Sequence, residues 1–103
     1  MKNLNFDYLT KAQVEALLEC FDFLKNGYQE KATFEVGDLW VIQLQHKRNF
    51  RVLRMFIRPD RYKICERKRV RKMVLFESSK ERYKVLVNSD ATLGVIKLKA
   101  GAS

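Results

Sequence analysis

Residues 39–67 read LWVIQLQHKRNFRVLRMFIRPDRYKICER, and this stretch decides the fold. Apolar and polar residues alternate through three segments of it, which is the period of a β-strand with one buried face. Two short polar connections, residues 46–49 and 58–61, separate the three segments. Strands so close together, joined by such short turns, predict neighbours in an antiparallel meander.

The two connections also predict how the strands pair. A turn centred on residues 47–48 pairs Ile42 with Leu53, and a type I turn centred on residues 59–60 carries the same face into the next strand. This register brings one apolar set of side chains to a single face, which we predict to be the core. Its members are Trp40, Ile42, Leu44, Leu53, Met55, Ile57, Tyr62 and Ile64.

Alternation then determines the opposite face of the same strands. Its predicted side chains are Val41, Gln43, Gln45, Phe50, Val52, Arg54, Phe56, Arg58, Arg61, Lys63, Cys65 and Arg67. Cations beside aromatic rings suit single-stranded nucleic acid, because cations neutralise phosphates and rings stack on bases. The face suits a second small core or a dimer interface with a cationic rim as well, and these interpretations stay open.

Outward from this stretch, a helix is predicted over about residues 10–26. Thr10 is the expected N-cap, and Gln13 completes a capping box with it. Gly27 supplies the left-handed residue that ends many helices. Apolar residues at helical spacing form a stripe that we expect to cover one face of the sheet. The stripe comprises Val14, Leu17, Leu18, Phe21 and Leu24.

The remaining sequence continues in short alternating segments. The predicted strands are Ala32–Val36, Leu39–Gln45, Phe50–Ile57, Arg61–Arg67, Val70–Glu77, Tyr83–Asn88 and Leu93–Leu98. We therefore predict a single α+β domain over residues 1–103, with a loose tail at 100–103. In it, one N-terminal helix packs on a curved antiparallel β-meander, or a partly open barrel, of five to seven strands over about residues 32–98. Barrel curvature, a second subunit or solvent must close the other face, so a homodimer is among the expectations.

Charge is distributed unevenly along the chain. The formal net charge is +9, but residues 1–45 carry a net charge of −3 and residues 46–103 a net charge of +12. Between Lys47 and Lys72 there are 12 basic residues and two acidic ones. Cations at this density repel one another at a cost to the folded state. The distribution therefore predicts a polyanionic partner, either nucleic acid or an acidic protein surface.

The densest charge lies at residues 66–72, ERKRVRK, at a predicted turn between two strands. A basic hairpin can enter a nucleic-acid groove or contact phosphates, whereas a solvated turn and, in a eukaryotic source, a nuclear-targeting cluster are the alternatives. The predicted nucleic-acid or polyanion site combines this hairpin with the basic sheet face. It comprises Lys47, Arg48, Arg51, Arg54, Phe56, Arg58, Arg61, Lys63, Arg67, Lys68, Arg69, Arg71 and Lys72.

Catalytic and metal-binding patterns are sparse. His46 is the one histidine, and Cys20 and Cys65 make no metal-ligand spacing with it, so no metal, cofactor or catalytic residue is predicted. A small ribonuclease toxin that works through Arg, Lys and Tyr is the remaining enzymatic hypothesis. Its test residues are His46, Arg54, Arg61, Tyr62 and Tyr83.

Three functional hypotheses follow. The first is a small nucleic-acid-binding protein, for DNA or RNA. The second is a protein-binding inhibitor or adaptor, as mobile elements encode, that docks its cationic face on an acidic or nucleic-acid-binding site of a partner. The third is the ribonuclease. The sequence has no membrane-spanning apolar run and no signal-peptide pattern, so we expect an intracellular protein, cytoplasmic or, in a eukaryote, nuclear.

Overall fold

The computed structural model describes Met1 and residues 3–99, and within them the chain forms one helix and seven strands. The elements are α1 (Lys11–Lys25), β1 (Tyr28–Val36), β2 (Leu39–His46), β3 (Val52–Arg58), β4 (Arg61–Glu66), β5 (Arg69–Leu75), β6 (Arg82–Val87) and β7 (Leu93–Leu98). Strands β1 to β5 form an antiparallel sheet in chain order, and β6 pairs only with β7. The predicted α+β class, N-terminal helix and meander are confirmed, and the sheet does not close into a barrel. The tail predicted at 100–103 lies outside the described residues.

The helix begins and ends as its sequence signals predict. The Gln13 amide donates to the Thr10 hydroxyl at 3.3 Å, and the Thr10 amide donates to the Gln13 side chain at 2.9 Å. At the other end Gly27 has a φ of +97°, and a Cβ there would lie 2.7 Å from Nε2 of His46. Glycine is therefore required at this position both by backbone conformation and by space.

The buried stripe of α1 differs from the predicted one. Leu18 is 38% exposed, so its assignment to the core was wrong, and Phe21 is only half-buried. The buried residues are Ala12, Val14, Ala16, Leu17 and Cys20. Ala12, Ala16 and Cys20 recur every fourth residue, and their small side chains let the helix backbone come close to the strands around it. The predicted stripe included Leu18 because it was built from apolar residues at helical spacing and left out the two alanines and Cys20.

Strand β1 begins four residues earlier than predicted, directly after Gly27. Its polar start escaped prediction because β1 is an edge strand whose side chains are mostly exposed. An irregularity in the pairing between Glu30 and Ala32 also interrupts the alternation. Edge strands commonly carry charged residues and bulges of this kind, which discourage pairing with other chains.

The predicted core face is confirmed, since all eight of its side chains are buried. The predicted pairing of β2 with β3 was wrong by two residues, because Ile42 faces Met55 and not Leu53. The connection is a four-residue loop, residues 47–50, across which the His46 amide donates to the Arg51 carbonyl at 2.8 Å. A shift of two residues keeps every side chain on its own side of the sheet, so the face assignment survived the error.

The sequence had indicated that Phe50 begins a strand, but Phe50 lies in this loop. Its φ is +61°, and its amide donates to the His46 carbonyl at 3.0 Å.

The basic segment 66–72 also differs from its predicted form. Only Arg67 and Lys68 form the turn, and Arg69 already begins the edge strand β5.

The hairpin of β6 and β7 packs against the N-terminal segment and the helix, and does not extend the large sheet. Leu9 and Tyr83 exchange two backbone hydrogen bonds of 2.6 and 2.8 Å, and the Val85 amide donates to the Phe6 carbonyl at 2.9 Å. Helix α1 contacts β1, β3 and β4 as well as β6 and β7. No helix in the described part of the chain has both the length and the apolar character needed to cross a membrane.

Leu17 and Leu18 give a direct test of which side of the helix is buried. Leu17→Ala should lower the free energy of unfolding by about 2–5 kcal/mol, because it leaves a cavity in the core. Leu18→Ala should lower it by less than about 1 kcal/mol. Urea unfolding followed by circular dichroism measures both, and equal losses would contradict the packing of α1.

Candidate functional site

Two cationic connections of the large sheet lie at the same end of it. In a meander, successive connections alternate between the two ends, so the β2–β3 loop and the β4–β5 turn are neighbours although about 20 residues separate them. Between them is an open cleft of about 960 Å³. Its lining residues are Asn49, Phe50, Arg51, Val52, Arg54, Glu66, Arg67, Lys68 and Arg69.

The cleft holds five cations and one carboxylate. Oε2 of Glu66 lies 2.9 Å from Nε of Arg51 and its Oε1 lies 3.3 Å from Nη1 of Arg71, so the charge of Glu66 is already engaged in two ion pairs. Among the described residues, the other four cations of the lining form no ion pair; they are Arg54, Arg67, Lys68 and Arg69. The cleft therefore has a strongly positive potential that an anion would relieve.

The loop on one side of the cleft is fixed by hydrogen bonds. Nδ1 of His46 accepts from the Arg48 amide at 3.1 Å, and Oδ1 of Asn49 accepts from the Arg51 amide at 2.9 Å. The Lys47 amide donates to the Gly27 carbonyl at 2.9 Å, which ties the loop to the end of α1. The predicted site residues Lys47 and Arg48 thus lie on a well-supported loop beside the cleft. Their side chains form no ion pair with a described carboxylate.

A second group of predicted site residues lies farther along the sheet, on the side that points away from α1. We call this side the open face; its central row is Phe34, Val41, Phe56, Lys63 and Met73. Nζ of Lys63 lies over the Phe56 ring, 5.2 Å from its centre. A shallow pocket of about 170 Å³ adjoins this pair, and Arg58 and Arg61 are among its lining residues.

Arg58 and Arg61 at this far end have carboxylate partners, unlike four of the five cations of the cleft. Nη1 of Arg58 lies 2.9 Å from Oδ1 of Asp38, and Nε of Arg61 lies 3.2 Å from Oδ1 of Asp60. Both carboxylates come from turns. The predicted site therefore divides into a cleft in which four of five cations are unpaired among the described residues and a distant part in which Arg58 and Arg61 are paired and Lys63 lies over the Phe56 ring.

Lys72 belongs to neither group. It pairs in the sheet with the core-face residue Ile64, and its Nζ lies 2.9 Å from Oε1 of Glu19 in the helix. The Tyr62 hydroxyl donates to the other oxygen of the same carboxylate. Burial and this hydrogen bond raise the pKa of the Tyr62 hydroxyl. Lys72 thus helps to hold the edge of the sheet to α1.

Sequence patterns missed the extent of the apolar surface on the open face. Phe34, Met73 and Leu75 are 49%, 56% and 67% exposed. The sequence assigned these three residues no role. Met73 and Leu75 follow an irregularity in the β4–β5 pairing, between Ile64 and Cys65, that interrupts the alternation of β5, whereas Phe34 lies in the edge strand β1. Phe50 was assigned to the basic face but was not included in the predicted site, although it lines the cleft.

The five residues of the ribonuclease hypothesis do not meet in one place. The Tyr83 hydroxyl donates to Oε2 of Glu81 at 2.7 Å in the region of the β6–β7 hairpin, and Tyr62 faces the helix. His46 supports the β2–β3 loop, while the two arginines belong to the opposite face of the sheet from Tyr62. The described residues also contain no group of three or more His, Cys, Asp or Glu side chains placed to hold a metal ion.

Comparison of the chain with models of protein families, with curated proteins and with solved structures gave no match. Function is therefore inferred from the geometry and charge of this chain's own side chains.

The two cysteines test which side of the sheet is open. Cys20 is fully buried, and burial raises the pKa of its thiol to about 12. Cys65 is half-buried and lies opposite Arg54 in the neighbouring strand, on the open face. Because the thiolate is the reactive form, a thiol reagent near neutral pH should modify Cys65 alone in the folded protein, and both thiols in denaturant. Cys65→Ser should abolish the reaction of the folded protein. Modification of Cys20 at a comparable rate would contradict the assignment of the faces.

Proposed function

We propose that the protein binds nucleic acid, DNA or RNA, through the basic cleft and the adjoining end of the open face. The observation that carries this proposal is the convergence of four unpaired cations on one cleft. Their charges come from β3, from the β4–β5 turn and from the start of β5. Cations spread over separate elements suit a ligand with repeated phosphates, because each contact releases counterions.

The contrast between the two ends of the sheet supports this choice of ligand. Arg58 and Arg61 have carboxylate partners of their own, so their charges serve the folded chain. Four of the five cations of the cleft lack such partners among the described residues and repel one another. A polyanion that enters the cleft would remove this repulsion, and a small anion would neutralise only part of it. An intracellular location, cytoplasmic or nuclear, accompanies this proposal.

Salt dependence gives the test. Fluorescence anisotropy with labelled DNA and RNA should show affinity that falls steeply between about 50 and about 300 mM salt. Lys68→Gln combined with Arg69→Gln should weaken binding and lower the slope of log affinity against log salt by about 1.4–1.8, if both cations contact phosphates. Lys31→Gln combined with Lys80→Gln makes the same change in net charge away from the cleft and should alter the slope much less. Equal effects of the two pairs would contradict a localised site.

A second candidate function is a protein-binding inhibitor or adaptor, and the open face favours it. Exposed Phe34, Met73 and Leu75 form part of an apolar surface with cations within it and around it. Large exposed apolar patches commonly mark contact surfaces. A second copy of this chain would bring Arg54 and Lys63 toward their own counterparts, which disfavours a homodimer through this face. A partner with apolar and acidic side chains fits better.

Met73→Glu separates this candidate from the first. The substitution should lower the affinity for a protein partner by roughly tenfold or more, because it places a carboxylate against the acidic surface of that partner. Leu86→Glu makes the same kind of change on the β6–β7 hairpin, where Leu86 is also exposed, and serves as the control. Affinity capture after nuclease digestion is the measurement. A protein retained by the wild type and the control but lost with Met73→Glu would favour the inhibitor, and loss of all proteins on digestion would favour nucleic acid.

A further inference from the structure

Two residues of the cleft have an unusual backbone conformation. Phe50 and Arg67 both line the cleft, and their φ angles are +61° and +58°. Left-handed backbone is unfavourable for residues with a Cβ, and glycine is its usual occupant. Among the described non-glycine residues only Tyr8 and Ala91 share it, and neither lines the cleft. The cleft thus contains two large side chains at positions where folding alone favours glycine.

Packing does not account for the Phe50 ring. The residue is 69% exposed, so the ring gains little from burial. Its backbone, in contrast, is held on both sides, since its amide donates to the His46 carbonyl and its carbonyl accepts from Nε2 of Gln45 at 3.3 Å. The result is an aromatic ring presented to solvent from a fixed loop.

The other aromatic ring of the predicted basic face is less available. Phe56 is half-buried, and the ammonium group of Lys63 already lies over its ring. The cations around Phe56 include Arg58, which is neutralised by Asp38. A ligand base would have to displace Lys63 to stack there. Among the described residues no cation lies over the Phe50 ring, and the unpaired cations of the cleft are beside it.

A ring next to free cations distinguishes between forms of nucleic acid. In a duplex, each base is stacked between its neighbours, so its faces are not open to a protein ring. In a single strand, bases can turn outward and stack on aromatic side chains while cations follow the backbone. Arg67 and Arg69 stand across the cleft from the loop that carries Phe50.

We propose that the cleft takes single-stranded nucleic acid, with one base stacked on the Phe50 ring and the neighbouring phosphates on Arg67 and Arg69. The inference rests on the proposed nucleic-acid-binding function and adds the form of the ligand and its main non-ionic contact. The left-handed conformations of Phe50 and Arg67 then have a role, because they aim both side chains into the same cleft.

The test compares Phe50→Gly, Phe50→Leu and the control Ala91→Gly, which replaces another left-handed residue far along the chain. The probes are labelled thymidine and uridine homopolymers of about 12 nucleotides, within the usual range for such sites, and a duplex of equal length. Phe50→Gly and Phe50→Leu should each weaken single-strand binding by about 5- to 150-fold and duplex binding by less than about twofold. Ala91→Gly should leave both unchanged. The urea midpoint of Phe50→Gly should stay equal to that of the wild type or rise.

The outcomes separate this inference from the proposed function. If the wild type shows no salt-dependent binding to any probe, the proposed function fails and the inference fails with it. If binding is salt-dependent but both Phe50 variants bind like the wild type, or if the duplex is preferred, only the inference is overturned. If Phe50→Gly loses stability, Phe50→Leu decides, because it keeps the apolar bulk and the backbone conformation while removing the ring.

Discussion

The packing of α1 against its neighbouring strands is the contact on which the rest of the structure depends. Ala12, Ala16 and Cys20 are fully buried at four-residue spacing, so the helix backbone lies close to the strands around it. A single helix has one such stripe and can shield only one face of a five-stranded sheet. The hairpin of β6 and β7 adds to the core on the helix side and does not cover the other face. The open face and its apolar surface are the direct result of this one-sided burial.

The order of the strands then determines how charge is arranged. Connections after β2 and β4 share one end of the sheet, and connections after β1 and β3 share the other. The turns at the second end contribute Asp38 and Asp60, which neutralise the arginines next to them. The first end has Glu66 as the one carboxylate of the cleft. Two basic segments that are distant in sequence therefore become one positive site, while Arg58 and Arg61 at the other end of the sheet have carboxylate partners.

The sequence predicted the core face well and the connections poorly, for physical reasons that differ. Side chains alternate between the two faces of a strand, so pairing Ile42 with Leu53 in place of Met55, an error of two residues, left every side chain on its correct face. Loop length has no comparable periodic signal. Phe50 was assigned to a strand because the turn was centred on residues 47–48, and the hydrogen bonds of His46 with Phe50 and Arg51 reveal the longer loop. The assignment of Leu18 to the core was wrong for another reason. The buried stripe of α1 includes Ala12, Ala16 and Cys20, which the predicted stripe left out. The ion pairs depend on which turns the meander brings next to each strand, so composition alone could not predict which cations have carboxylate partners.

Backbone strain and charge repulsion occur together in the β2–β3 loop and the β4–β5 turn. Phe50 and Arg67, two of the four described non-glycine residues with left-handed backbone, lie there, and four of the five cations of the cleft beside them lack carboxylate partners among the described residues. In the unfolded chain the cations can move apart and the backbone can leave the left-handed region, so both costs fall on the folded state. Local sequence that opposes folding in this way is typical of functional sites. An anion that enters the cleft removes the repulsion only when the two connections are assembled. Binding of such an anion would therefore be coupled to folding, and the ligand would stabilise the folded chain by mass action.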